Sequence, residues 1–430
     1  MSALFWCEWA WLPSGPERGV LFLTEGTRIT EVRRAERPGE AEVLAGMVLP
    51  GLANAHSHAF HRALRGDTTH GTFWTWRERM YRVAAALEPD TYYRLARGVY
   101  AEMVQAGITG VGEFHYLHHA PGGAGYDDPN AMSHALAQAA RDTGIRLTLL
   151  DTCYLSGGFG RELDEVQRRF SDGDVAGWAH RVEQFDVGDV LLGAAVHSVR
   201  AVPAEAIPEV VERAGDAPLH VHLSEQRAEN EACLAAHRRT PTQLLADNGA
   251  LGPNVTAVHA THLAAWDVAL LGESGTCVCL CPGTEADLAD GIGPAGALRV
   301  AGSEISLGSD GHSSIDILAE TQAVESYQRL ATETRGHHAP DELLGMATAH
   351  QSIGYPDAGR LEVGGRADFV SVDLNSTRLA GVDLRAVPAV ARADDVLEVI
   401  IDGRRRVHDG SHVDVDAARE LRESISALQP

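Results

Sequence analysis

Hydrophobic positions along the chain follow two regimes. Between residues 47 and 310, short apolar, β-branched runs recur at 47–58, 108–116, 145–155, 190–199, 219–225, 255–263, 276–282 and 305–310. Ala-rich stretches such as 91–106 and 129–143 lie between them, with apolar side chains at helical spacing. Runs that are apolar throughout, rather than alternating, predict parallel strands covered on both faces. Strand–helix units of this kind in series predict an α/β fold, a (β/α)8 TIM-like barrel. Its functional groups would gather at the C-terminal ends of the strands.

The two ends of the chain read differently. Residues 1–13 alternate like a strand, and 21–23 and 29–32 continue in short strands with turns. The tail resumes this character at 368–372 and 396–401, before the turn Asp402-Gly403. A small β-sandwich domain formed from both termini is therefore expected, residues 1–48 and 359–430, around a barrel spanning 49–358.

Composition narrows the function. The net charge of −24 argues against nucleic acid and against an anionic membrane surface, both of which call for clustered cations. No run approaches the roughly 18 apolar residues of a membrane span. The apolar start lacks a basic segment and is broken by Glu8 and Pro13, so a signal peptide is not expected. Six cysteines do not make a disulfide scaffold, and a reducing cytoplasmic setting follows as the expectation. The chain contains no lysine, so all 36 basic residues are arginines. That excludes a Schiff-base lysine, a P-loop lysine and a carboxylated lysine bridging two metals.

Polar residues cluster where the barrel predicts. His56 and His58 end the first run and share one face by strand alternation. His220, His222 and Glu225 end the fifth, His259 and His262 the sixth, and Asp310 the eighth. A lone histidine is ordinarily structural, but metal-competent groups at four separate strand ends point to a shared ion. Histidine and aspartate suit Zn2+ with one position left for water. Other signals carry less. Gly291-Ile-Gly293-Pro-Ala-Gly296 follows a polar stretch and contains Pro294, unlike a dinucleotide fingerprint. Cys277, Cys279 and Cys281 share one strand face but lack partners for a closed thiolate site. The aromatic run at 73–76 reads as the packing of a loop lid.

The blocks PGLANAHSH (50–58), HVHLSEQ (220–226), AVHATHL (257–263) and LGSDG (307–311) resemble the amidohydrolase superfamily, in particular its deaminases. The resemblance covers nearly the whole chain. It implies His56, His58, His222 and Asp310 as ligands of one Zn2+ per chain, with Glu225 as proton shuttle and Asp310 accepting the proton of the attacking water. His259 would orient that water, with His262 as the rival for the role, and His220 would be structural. Two-metal members bridge their ions with a lysine on the fourth strand, where this chain offers His197.

NAHSHAFHRALRG (54–66), FWTWRERMYR (73–82), GEFHYLHH (112–119) and HSVRAV (197–202) resemble, within that branch, the deiminases of N-formimino-L-glutamate in histidine degradation. A small acidic amidine substrate is then expected. Arg82 and Arg200 would grip its carboxylates, because guanidinium pairs with carboxylate through two parallel hydrogen bonds. Tyr116 and His197 would add hydrogen bonds. His61 stands where that family often has Gln, near the substrate's backbone carboxylate. By analogy with such barrels, a homodimer is expected. The rival readings are an aminohydrolase of ring amidines such as guanine and a non-catalytic metal-binding barrel.

Overall fold

The computed structural model describes residues 2–67, 70–186 and 188–428, without the side chains of Phe73 and Trp74. Among these residues, eight parallel strands follow one another around a barrel. They are Leu52–Ser57, Ile108–His115, Arg146–Cys153, Leu191–Ser198, Leu219–Leu223, Val255–His259, Cys277–Leu280 and Ile305–Leu307. Each pairs with its neighbour in sequence. The ring closes where Ser57 bridges Asp310 and the Asp310 amide donates to the His56 carbonyl at 3.0 Å. Ile108–His115 and Arg146–Cys153 are buried at every position, which is why such segments read apolar on both faces.

Helices cover the outside. Pro89–Gln105 begins with Pro89, whose missing N–H costs nothing in a first turn. Ala131–Thr143 stops at Gly144, which takes the left-handed conformation (φ 72°) that releases the chain into the next strand. Both lie within two residues of the stretches expected from periodicity.

The run 47–58 is not one strand. Its first part belongs to Glu42–Pro50, which pairs with Ser2–Leu12 and Phe369–Val372 in the terminal sheet. Its second part is the first barrel strand. Gly51 lies between them, where a Cβ would meet Thr109 Oγ1 at 2.3 Å and Asp368 Cβ at 2.9 Å. Glycine is required there by close approach. Because both strands are buried, hydropathy runs through the boundary without a break.

The terminal sheet, again counting described residues, has eight strands. In spatial order they are Ser411–His412, Arg404–His408, Val396–Ile401, Phe369–Val372, Glu42–Pro50, Ser2–Leu12, Gly15–Glu25 and Arg28–Arg34. It curls until Arg28 bridges back to Arg366, enclosing a core that includes Phe5, Phe22, Ile29, Phe369 and Ile400. Arg146, opening the third barrel strand, reaches Asp368 at 2.9 Å and Asp402 at 3.0 Å and ties the two sheets together. The helix Ala417–Leu428 returns onto Pro89–Gln105, with Arg97 3.1 Å from Glu420. No helix of the described residues is long and apolar enough to cross a membrane.

Candidate active site

Strand ends and alternation bring the predicted metal set together. His56 and His58 flank Ser57, whose side chain turns the other way and donates to Glu113 at 2.6 Å. His222 closes in from the fifth strand and Asp310 from just beyond the eighth. His222 Nε2 lies 3.2 Å from His56 Nε2 and 3.3 Å from His58 Nε2. Asp310 Oδ1 lies 3.4 Å from His56 Nε2 and 3.5 Å from His58 Nε2.

These contacts fit a cation better than they fit hydrogen bonds. His58 Nδ1 is 2.9 Å from the Phe114 carbonyl, and His222 Nδ1 is 2.9 Å from the His197 carbonyl. A carbonyl only accepts, so each Nδ1 carries the proton and each Nε2 presents a lone pair. Two lone pairs 3.3 Å apart repel unless an ion lies between them. Burial, and then neighbouring histidines, hold both imidazoles well below the usual histidine range, which leaves them neutral donors. Ligands about 2.0–2.1 Å from a tetrahedral ion stand about 3.3–3.4 Å apart, close to the spacing found. His56, His58 and His222 therefore form a donor set able to hold a metal ion, with Asp310 beside His56 and His58.

Acid–base groups adjoin it. His259 Nε2 is 3.8 Å from Glu225 Oε1 and 3.8 Å from Asp310 Oδ2. Its Nδ1 is 3.5 Å from Glu285 Oε1. Burial opposes charge on His259, but the surrounding carboxylates, Glu225 first, hold its pKa well above the usual range. Burial pushes Glu225 up to about 7, although His259 beside it pulls the other way. Burial would also raise Asp310, yet His56 and His259 keep it well below the usual carboxylate range. His259 and Asp310 both take positive φ, 70° and 39°, a conformation costing about 1–3 kcal/mol that is typical of functional positions.

One cavity opens onto these groups and is lined by His58, His61, Tyr116, His197, Arg200, His222, Glu225, His259 and Asp310. Tyr116 Oη and His61 Nε2 lie 3.1 Å apart. Burial lowers His61 to about 4, so it is neutral near pH 7. Arg200 Nε donates to Glu229 Oε2 at 3.0 Å. His262 is half-buried and outside this lining, and His220 points away to the Ser352 carbonyl at 2.8 Å.

The expectation for Arg82 is corrected. Arg82 is exposed on the helix Phe73–Ala86, and the arginine reaching the cavity is Arg77. Trp76, Arg77, Met80 and Tyr81 form the inward face of that helix. At about 100° per residue, Arg82 projects roughly 170° from the middle of that face. Of the aromatic run at 73–76, Phe73 and Trp74 side chains lie outside the described residues, whereas Trp76 packs 5.2 Å from the His61 ring.

Other signals resolve as structure. The Gly291–Gly296 segment connects the helix Pro282–Asp287 to the helix Ala295–Ala301, whose first two residues it supplies. Cys277, Cys279 and Cys281 are free and buried in the barrel wall. His115, His118 and Asp151 form another buried cluster, but Arg181 already holds Asp151 through two bonds of 2.7 and 2.9 Å.

Comparison with known proteins adds a family. The amidohydrolase family matches residues 47–406. A formimidoylglutamate deiminase of Pseudomonas aeruginosa is 38% identical over 96% of this chain and 96% of its own length. The crystal structure of an amidohydrolase from Brucella melitensis superposes with a TM-score of 0.93 at 32% identity, over 99% of both chains. An atrazine chlorohydrolase from Arthrobacter aurescens, crystallised with zinc, shares the fold at a TM-score of 0.87 and 22% identity, over 99% of this chain and 100% of that one.

Proposed function

The chain belongs to the amidohydrolase family, and from that premise we propose that it hydrolyses N-formimino-L-glutamate to N-formyl-L-glutamate and ammonia. It would act in histidine degradation with one zinc ion held by His56, His58, His222 and Asp310. The observation that carries the substrate is the pairing of Arg77 and Arg200 in one cavity with Glu225, His259 and Asp310. In a protein of net charge −24, cations gathered beside such a site favour a substrate bearing carboxylates. The relative from Pseudomonas aeruginosa, similar from end to end, supports the same reading.

When bound, zinc supplies Lewis-acid chemistry that brings the pKa of a water toward about 7. The chain's own groups do the rest. Asp310 turns Oδ1 toward the metal-binding imidazoles and Oδ2 toward His259, so Oδ2 is placed to accept the proton of the attacking water. His259, set between Glu225 and Asp310, orients that water and opposes the negative charge growing on its oxygen. Glu225, poised at about 7, gives its proton to the imine nitrogen, takes up the proton that Asp310 accepted and passes it to the same nitrogen as it departs. The hydroxyl proton of the tetrahedral carbon then returns to Glu225 as the C=O forms. Water oxygen bonds to the formimino carbon, the C=N double bond opens, and the carbon–nitrogen bond then breaks. A formyl C=O remains, and nitrogen leaves as ammonia. Arg77 and Arg200 hold the two carboxylates, and Tyr116, His197 and His61 supply neutral hydrogen-bonding groups around them.

Ammonia release measured with N-formimino-L-glutamate, its shorter aspartate analogue and guanine tests the reading. Turnover of the glutamate compound with none of guanine supports it. Turnover of guanine alone contradicts it.

A further inference from the structure

Glu229 has no place in the chemistry above, yet it is the most completely buried acid beside the cavity's cations. It lies in the first turn of the helix Arg227–His237, and its side chain is 1% exposed. A carboxylate taken so far out of water needs a cation close by. Arg200 supplies it, donating from Nε to Glu229 Oε2 at 3.0 Å. The second oxygen, Oε1, has no hydrogen-bond partner among the described residues. The carboxylate thus serves Arg200.

Resting on the carboxylate-binding role given to Arg200, we propose that Glu229 is a positioning residue for substrate recognition: it fixes the Arg200 guanidinium so that the terminal N–H groups face the substrate carboxylate. The guanidinium is planar and rigid, so tying Nε sets the direction in which both terminal nitrogens point. A side chain with this many rotatable bonds would otherwise sample many directions and pay an entropic penalty on binding. Glu229 also competes for a cation that Glu225 attracts. Glu225 lines the same cavity and precedes Glu229 by four residues in the sequence. Without Glu229, Arg200 swings toward the proton shuttle and away from the carboxylate.

The zinc-loaded variants Glu229→Ala, Glu229→Gln and Arg200→Met test this by steady-state kinetics on N-formimino-L-glutamate and on N-methylformamidine, which carries no carboxylate. For Glu229→Ala, KM for the dicarboxylate should rise about tenfold or more, with kcat changed less than about threefold. The loss on the dicarboxylate should exceed that on the carboxylate-free amidine by about tenfold. Glu229→Gln keeps an acceptor for Arg200 Nε and should recover part of the loss. A purely structural pair would instead lower both substrates equally or act through thermal stability alone. KM within twofold of the parent in either folded Glu229 variant, while Arg200→Met raises KM more than about tenfold, overturns the proposal. An equal loss on both substrates also overturns it. If Glu229→Ala does not fold, the isosteric Glu229→Gln decides by the same criteria. An unchanged KM in Arg200→Met contradicts the role of Arg200 itself.

Discussion

His58 and His222 face each other through nitrogens that cannot bond to one another, since each has committed its proton to a carbonyl on the far side of its ring. Removing either ring should empty the site. His222→Ala is expected to purify with less than about a tenth of the parent's metal, read by elemental analysis, because one of the four proposed ligands and its orienting carbonyl contact are lost. Glu225→Gln should behave oppositely. It leaves the four proposed ligands in place, so metal content should stay at the parent level while kcat falls about 10²–10⁴-fold, the usual contribution of a positioned proton carrier. These residues were legible in the sequence because a strand end fixes where a side chain points: His56 and His58 share a face by alternation. Glu285 was not legible. It lies in the short helix Pro282–Asp287, and only the folded barrel brings it 3.5 Å from His259 Nδ1.

The helix Phe73–Ala86 shows what a motif leaves open. The block FWTWRERMYR marks the segment as functional, but three arginines stand in it, and only the helical register selects among them. Trp76, Arg77, Met80 and Tyr81 fall on one face, at spacings of one, four and five residues, and that face lines the cavity. Arg77→Met should therefore lower kcat/KM for N-formimino-L-glutamate about 10–100-fold, as expected for losing hydrogen bonds to a charged group. Arg82→Met, on the exposed face, should stay within about twofold, as surface substitutions do. Equal effects of the two variants would contradict this assignment. The same limit explains the segment 47–58. Hydropathy identifies buried strand but is silent about which sheet receives it, and Gly51 matters through a close approach visible only in three dimensions.

For the molecule as a whole, the eight apolar runs and the β-rich ends were enough to anticipate a barrel with a terminal sheet, because both patterns follow from burial. The price of that burial is a load of neutral histidines. Away from the metal set, burial lowers His118 to about 4 and His220 and His350 to about 3. Below about pH 6.5 the unfolded chain takes up protons that these folded-state groups refuse, so stability present above 6.5 is lost as pH falls toward their depressed values. The slope is about 1.4 kcal/mol per pH unit for each group. Glu113, Glu320 and Asp290, pushed up to about 8 by burial, and Glu225, pushed up to about 7, act in the opposite sense, as does His259, which its carboxylate neighbours raise. The lowered histidines outnumber them, because His56, His58, His61, His115, His197, His222 and His312 shift the same way. The Tm of the chelator-treated protein should therefore fall steadily from pH 7 to pH 5. A Tm that is flat or rises over that interval would contradict this balance. Restoring zinc should raise Tm at pH 7, since an ion bound only by the folded chain stabilises it.

The proposed activity joins these observations, as the imidazole cage, the proposed shuttle Glu225 and the two arginines of the cavity would all serve one reaction on an acidic amidine. The direct measurement is product analysis of the zinc-loaded protein incubated with N-formimino-L-glutamate. The account predicts one ammonia and one N-formyl-L-glutamate for each substrate consumed, formed about 10²–10⁴-fold more slowly by Glu225→Gln. Failure to release ammonia from this substrate, with zinc bound and a ring amidine hydrolysed instead, would contradict it.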